Sequence, residues 1–140
     1  MNNRHFNLPG ANLGPYSDGI EAAGLIFLSG RVGLDDDGAL VRGGIGPQTK
    51  RAIRNAEAVL QSQGLSLADV VKCTVYLAAM DDFAAMNAAY IEAFGDLRPA
   101  RTALAAAGLP LGAVVEVDMI ACARSEKGEA ASVGGPESDG

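Results

Sequence analysis

From residue 24 the chain runs Gly-Leu-Ile-Phe-Leu-Ser-Gly, a short apolar stretch closed at both ends by glycine. Such a stretch suits a buried strand over 24–30 better than a helix of normal length, and residues 16–23 supply a partner strand. Asp35-Asp36-Asp37-Gly38 then reads as a solvated hairpin turn, followed by a short strand over 39–41 that leads into Gly43-Gly44. A metal loop would need ligands to continue at alternating spacing, whereas Gly38, Ala39 and Leu40 follow. Beyond these glycines the period changes. Pro47 opens a helix that runs to about Gln63 and stops at Gly64, with Thr49, Ala52, Ile53, Ala56, Val59 and Leu60 along one apolar face.

Leu67-Ala68-Asp69 forms a turn, and residues 70–78 are apolar and β-branched enough for a central strand. Asp81 or Asp82 offers an N-cap for a second helix through Phe94, ended by Gly95, with Phe83, Met86, Ala89, Tyr90 and Ala93 at helical spacing. Residues 101–107 and 114–123 read as two final strands joined by the turn Leu109-Pro110-Leu111-Gly112. Alternation in the last strand places Val115, Val117 and Met119 on one face and Glu116, Asp118 and Ile120 on the other. The sequence thus predicts an α/β (α+β) domain over residues 1–124, with one sheet of four to six strands covered on a single face by two helices. The other sheet face stays open and fairly apolar, for which self-association is the expected solution. Residues 125–140 are polar and glycine-rich and read as a disordered C-terminal tail.

Composition narrows the function. A chain of 140 residues is one domain, large enough to build a core without disulfides or metal. Its apolar runs fall short of the ~20 residues of a membrane span. The start lacks an apolar signal core, and Cys73 and Cys122 lie apart in strand-like contexts, which points to a reducing cytoplasm. The net charge of -6 disfavours a nucleic-acid partner, and Lys50, Arg51 and Arg54 read as a solvated helix face. The string from Gly43 to Lys50 lacks the Gly-Lys-Ser/Thr ending of a phosphate loop. His5 is the single histidine and reads as a solvated terminal residue. Its isolation removes Ser-His and Cys-His nucleophile pairs and multi-histidine metal sites.

One cation stands out. Arg101 heads the uncharged stretch 102–115, and the next ionisable side chain is Glu116. A guanidinium leading into apolar chain is costly to desolvate alone. Three readings stay open at this point: an Arg101/Glu116 ion pair, a snorkelling arginine, or a site awaiting an anionic ligand.

Several separated segments occur in the order found in one family: Gly14-Pro15-Tyr16-Ser17, Leu28-Ser29-Gly30, Gln48-Thr49 with its helix, Asp69-Val70-Val71-Lys72, Asp82-Phe83 leading to Asn87, Pro99-Ala100-Arg101-Thr102 and Val115-Glu116-Val117. Over residues 11–123 the chain resembles the Rid family, the reactive intermediate deaminases, also called L-PSP endoribonuclease-like proteins. The resemblance implies a chorismate-mutase-like homotrimer with active sites in clefts between subunits. It implies an enamine/imine deaminase that turns 2-aminoacrylate-like intermediates, released by pyridoxal-dependent dehydratases, into 2-keto acids and ammonia. It assigns Arg101 to the substrate carboxylate and Glu116 to the attacking water, with Tyr16, Ser29, Gly30, Asn87 and Thr102 completing the pocket. No metal or organic cofactor is needed. A non-catalytic trimer that binds small carboxylates and an endoribonuclease are the alternatives. Two positions depart from the family pattern. Arg31 stands where many relatives have glutamine, and Ala103 where some have cysteine, so both bear on substrate choice.

Overall fold

The computed structural model describes residues 2–10 and 14–123; the tail expected over 125–140 lies outside them. The described chain contains strands β1 (Arg4–Phe6), β2 (Gly19–Ala22), β3 (Leu25–Leu28), β4 (Arg31–Val32), β5 (Val70–Leu77), β6 (Ala100–Ala105) and β7 (Val115–Cys122), and helices α1 (Ile45–Gln61) and α2 (Phe83–Phe94). These strands form one sheet in the order β1-β2-β3-β7-β5-β6, with β4 continuing the line of β3 along the same edge of β7. Pairing is antiparallel except between β5 and β6, which run parallel because α2 carries the chain back across the sheet between them.

Both helices cover one face. Cys73, Val75 and Leu77 of β5 and Val115, Val117, Met119 and Ala121 of β7 point into the core, where they meet Ala52, Ile53, Ala56, Val59 and Leu60 of α1 and Met86, Tyr90 and Phe94 of α2. Burying each larger apolar side chain stabilises by roughly 1.5–3 kcal/mol, so this interleaved layer is the main source of cohesion. Gln48 is also buried at the head of α1, and its Oε1 accepts the Val114 amide at 3.0 Å, tying that helix to the start of β7. The opposite sheet face carries Lys72, Thr74, Tyr76, Thr102, Leu104, Glu116, Asp118 and Ile120, with no helix over it among the described residues.

Most of the expected elements occur with small shifts. The first helix begins at Ile45, two residues before Pro47, and its first backbone bond runs from the Gln48 amide to the Gly44 carbonyl at 3.0 Å. Proline costs nothing there, since amides of the first turn have no intrahelical acceptor. Asp82 does occupy the N-cap of α2, but its side chain makes no capping bond, because a 3-10 turn over Met80–Asp82 leads directly into the helix.

Other details differ. The short strand expected over 39–41 reduces to a single bridge between Leu34 and Leu40. The turn before it is held by Asp35 Oδ1, which accepts the amides of Asp37 and Ala39 at 2.9 and 3.0 Å. The sheet gains β1 and β4, of three and two residues, which are too short to show any period in sequence. His5 is accordingly a strand residue, exposed but with Nδ1 3.1 Å from the Ser17 hydroxyl.

Candidate functional site

Arg101 is placed by edge strand β6. Its register partner on β5 is Cys73, itself opposite Met119 on β7, so Arg101 shares the helix-covered face with two core residues. The helix α2 closes over it. The guanidinium carbon lies 4.8 Å from the Tyr90 ring centroid and 5.7 Å from that of Phe83, and Nη1 is 3.9 Å from the Met86 sulfur. Aromatic faces and a soft thioether attract the cation without neutralising it. Among the described residues no carboxylate forms an ion pair with Arg101.

Asn87, Tyr90, Ile91, Arg98, Pro99 and Arg101 line a hollow of about 280 Å³ beside it. Arg98 is occupied there, donating from Nη1 to the carbonyls of Gly95 and Leu97 at 2.6 and 2.9 Å, where it complements the negative end of α2. Burial pushes the Cys73 thiol up to about 12 and raises the neighbouring Tyr90 phenol as well. Both groups are therefore protonated at neutral pH, and neither serves as a nucleophile here.

Glu116 belongs to a different cleft. Alternation along β7 turns it to the face opposite Val115 and Val117, where β4 and the 29–30 turn approach. A Cβ at residue 30 would fall on the Glu116 carboxylate, so only glycine lets that carboxyl lie against the backbone. Burial raises the Glu116 pKa above the ordinary glutamate value, and the nearby Asp118 carboxylate raises it further. Ser29 donates its hydroxyl to the Ser17 carbonyl at 2.7 Å, and its amide bonds the Asp18 carbonyl at 3.0 Å, which pins the turn. Gly30→Ala should displace Glu116 and cut any activity that depends on it by about tenfold or more, since ångström-scale misplacement is costly to catalysis. Steady-state rates together with a melting curve check this, and a loss confined to rate is expected.

The wall of this cleft, of about 500 Å³, is built by α1 and β4. Asn55 donates from Nδ2 to the carbonyls of Val32 and Leu34 at 3.0 and 2.9 Å, while its Oδ1 accepts from Arg51 Nε at 3.1 Å. Arg51 also reaches Asp36 at 2.9 Å, so it is a wall residue and not part of a solvated helix face; Lys50 pairs with Glu92 across the helices. Asn55→Ala leaves two partly buried carbonyls without their donor and should destabilise the fold by about 1–3 kcal/mol. Urea unfolding measures that loss.

The residues singled out in the sequence fall into two groups. Tyr16, Ser29, Gly30 and Glu116 line one cleft, while Asn87 and Arg101 line the other hollow. Thr102 lies with neither: it shares the open sheet face with its register partner Thr74. Arg101 and Glu116 occupy opposite sides of the sheet, which rules out an ion pair between them within the chain. Arg31 pairs with Asp18 at 2.7 Å, so this extra cation meets a nearby acid.

Asn55 and Leu111 were not singled out from sequence as residues of the cleft, nor was Asp18 as the partner of Arg31. The one available signal was Asn55 at i+4 from Arg51 on a helix face, a spacing at which side chains meet.

An α+β fold with one open sheet face and two clefts on opposite sides defines a class, and comparison with known proteins names it. Residues 8–123 match the family model described as Endoribonuclease L-PSP. A RutC family protein of Pyrococcus abyssi is 46% identical over 110 residues, covering 78% of this chain and 87% of that protein. A 2-iminobutanoate/2-iminopropanoate deaminase of Mus musculus is 42% identical over 112 residues, covering 79% and 83%. Among solved structures, RidA from the Antarctic bacterium Psychrobacter superposes with a TM-score of 0.75 at 34% identity, covering 80% of this chain and 91% of that one. The chain belongs to the Rid, or L-PSP endoribonuclease-like, family. No helix among the described residues is long and apolar enough to cross a membrane.

Proposed function

We propose that this protein is an enamine/imine deaminase that hydrolyses 2-iminopropanoate and 2-iminobutanoate to 2-keto acids and ammonia, in active sites formed between subunits of a homotrimer. The observation that carries the reading is Arg101, a guanidinium on an aromatic floor with no carboxylate partner among the described residues. Its planar fork suits both oxygens of a substrate carboxylate. Deaminase names among mammalian relatives at about 40% identity support the same chemistry. In this reading residues 1–124 form the deaminase domain, and two free cysteines suit a reducing compartment such as the cytoplasm.

The division of the site supports an assembly of several subunits, and the family resemblance supports a trimer. Arg101 and Glu116 cannot reach one small substrate inside one chain, because the sheet separates them. Ile20, Phe27, Leu104 and Ile120 give the uncovered face an apolar component, with Phe27 and Leu104 each 41% exposed. In the proposed trimer these faces pack around a threefold axis, and the Arg101 hollow of one subunit meets the Glu116 cleft of its neighbour.

The chemistry needs little. An enamine such as 2-aminoacrylate becomes the imine when its β-carbon takes a proton and its nitrogen gives one up. Water then adds to the imine carbon, with its proton passing to Glu116 and the nitrogen gaining one from solvent or from Glu116. The resulting carbinolamine loses ammonia as its hydroxyl becomes the keto oxygen. Glu116 holds the water and exchanges these protons, and its raised pKa brings it closer to neutral, where a group that both takes and gives a proton works best. Arg101 fixes the carboxylate and so the approach of the imine carbon.

The test is ammonia and keto-acid release from enzymatically generated 2-aminoacrylate in competition with semicarbazide. The protein should divert the intermediate from semicarbazone to keto acid. Saturable 2-ketobutyrate binding without any diversion would instead support a non-catalytic carboxylate-binding trimer.

A further inference from the structure

The turn between β6 and β7 holds a strained apolar side chain at the mouth of the Glu116 cleft. Leu111 has φ 61° and ψ 18°, the left-handed region that a branched side chain occupies at a cost. Burial does not compensate it, for Leu111 is 68% exposed, the most exposed large hydrophobic residue among those described. Gly112 follows directly and accepts positive φ freely, yet the chain places leucine in the strained position as well. Strain and exposure together are what a residue shows when its contact is made with something outside the folded chain.

Leu111 lines the cleft together with Pro110, Val32, Leu34 and the ring of Tyr16. Tyr16 is 56% exposed, and its ring packs where a Cβ of residue 14 would otherwise stand, so glycine there fixes the aromatic wall in place. Arg51 meets Asp36 at 2.9 Å, and Arg31 Nη2 lies 2.7 Å from an Asp18 carboxylate oxygen in an ion pair that lacks hydrogen-bond geometry, so the buried Nε and Nη2 of Arg31 have no hydrogen-bond partner among the described residues. Beside these polar groups the cleft offers an apolar wall of Leu111, Pro110, Val32 and Leu34.

We infer that Leu111 is a specificity-determining residue, which with Tyr16 forms an apolar slot for the side chain of the 2-imino acid and extends the range of this enzyme from 2-iminopropanoate and 2-iminobutanoate to unbranched or branched aliphatic substrates of three or more side-chain carbons. The inference rests on the deaminase reading above. Loss of apolar pocket contact costs roughly 10–200-fold per methylene in a closed pocket, and an open-mouthed cleft lies at the low end of that range.

Two variants separate contact from fold. Leu111→Gly accepts the left-handed backbone without strain, and Leu111→Asn tolerates it while replacing the apolar tip by a polar one. The probes are 2-imino acids generated in place by an amino acid oxidase from alanine, norvaline and leucine. Both variants should keep the melting temperature, and the ratio of kcat/KM for the norvaline- and leucine-derived imines to that for the alanine-derived imine should fall about tenfold. An unchanged ratio between long and short substrates in both variants overturns the inference while leaving the deaminase reading intact. A ratio that changes only together with the oligomeric mass also overturns it, since Leu111 is then a subunit contact. A wild-type protein inactive on every imine removes the inference and the deaminase reading together.

Discussion

Replacing Arg101 with alanine lowers kcat/KM for 2-iminopropanoate by about 10²–10³-fold, the range expected when one partner of a desolvated, hydrogen-bonded charge pair is removed. The effect falls on activity because Arg101 makes no ion pair with another described residue whose loss would unfold the chain. Its guanidinium does lie on Tyr90 and near Met86, so some packing goes with it and a modest drop in melting temperature accompanies the change. Arg101→Lys separates charge from shape. Lysine keeps the positive charge but has no fork, and it should retain only part of the lost activity, mostly through a raised KM. Steady-state kinetics beside circular dichroism checks both variants, and an Arg101→Ala protein with wild-type kcat/KM would remove the proposed clamp.

Glu116→Gln should cost about 10²–10⁴-fold in kcat, the usual contribution of a positioned proton-transfer group, with KM little changed because the amide keeps the shape. The same substitution should stabilise the protein at neutral pH. Burial raises the folded-state pKa of Glu116 above its unfolded value, so the folded chain holds this proton more tightly than the unfolded one. Wild-type stability therefore falls as pH rises from the ordinary glutamate value through the raised one, where the partly buried carboxyl must ionise. Glutamine never ionises and escapes that fall. The melting temperature of Glu116→Gln should exceed that of wild type at pH 7, and the gap should close as the pH drops below the ordinary glutamate range. Thermal melts across pH 3 to 8 read this directly, and a gap independent of pH would contradict the assigned cause. Wild-type kcat should decline over that window as acid protonates Glu116, while the residual rate of the variant stays flat.

The sequence was most legible where a period persists. Helix α1 shows its apolar face over seventeen residues, β7 alternates over eight, and β5 is apolar and β-branched along its length, so the layer of sheet and helices could be read from the sequence. β1 and β4 could not, because three and two residues carry no pattern and are held by register with longer neighbours. The absent Asp82 cap shows another limit: a side chain able to cap gives no sign that the backbone ahead of it already turns. At the site, Glu116 was legible as a charge on the wrong face for the core. Arg101 was legible as a charge at the edge of an apolar stretch, but spacing alone left an ion pair with Glu116 open. Only the order β7-β5-β6, which brings Cys73 and Met119 into the row of Arg101, puts the two groups on opposite faces. The Asn55 clamp and the strained Leu111 depend on contacts between distant segments and on one dihedral angle, neither of which composition reveals.

The division of the site between two faces of one sheet makes the central claim testable with two inactive proteins. Arg101→Ala and Glu116→Gln subunits, unfolded and refolded together in equal amounts, should form mixed trimers in which some clefts join the intact Glu116 of one subunit to the intact Arg101 of its neighbour. Random assembly restores such clefts at roughly a quarter of all sites, so about a quarter of the wild-type deaminase activity should return. A mixture no more active than the sum of the two variants alone would mean that Arg101 and Glu116 do not meet across a subunit boundary, and would contradict the account.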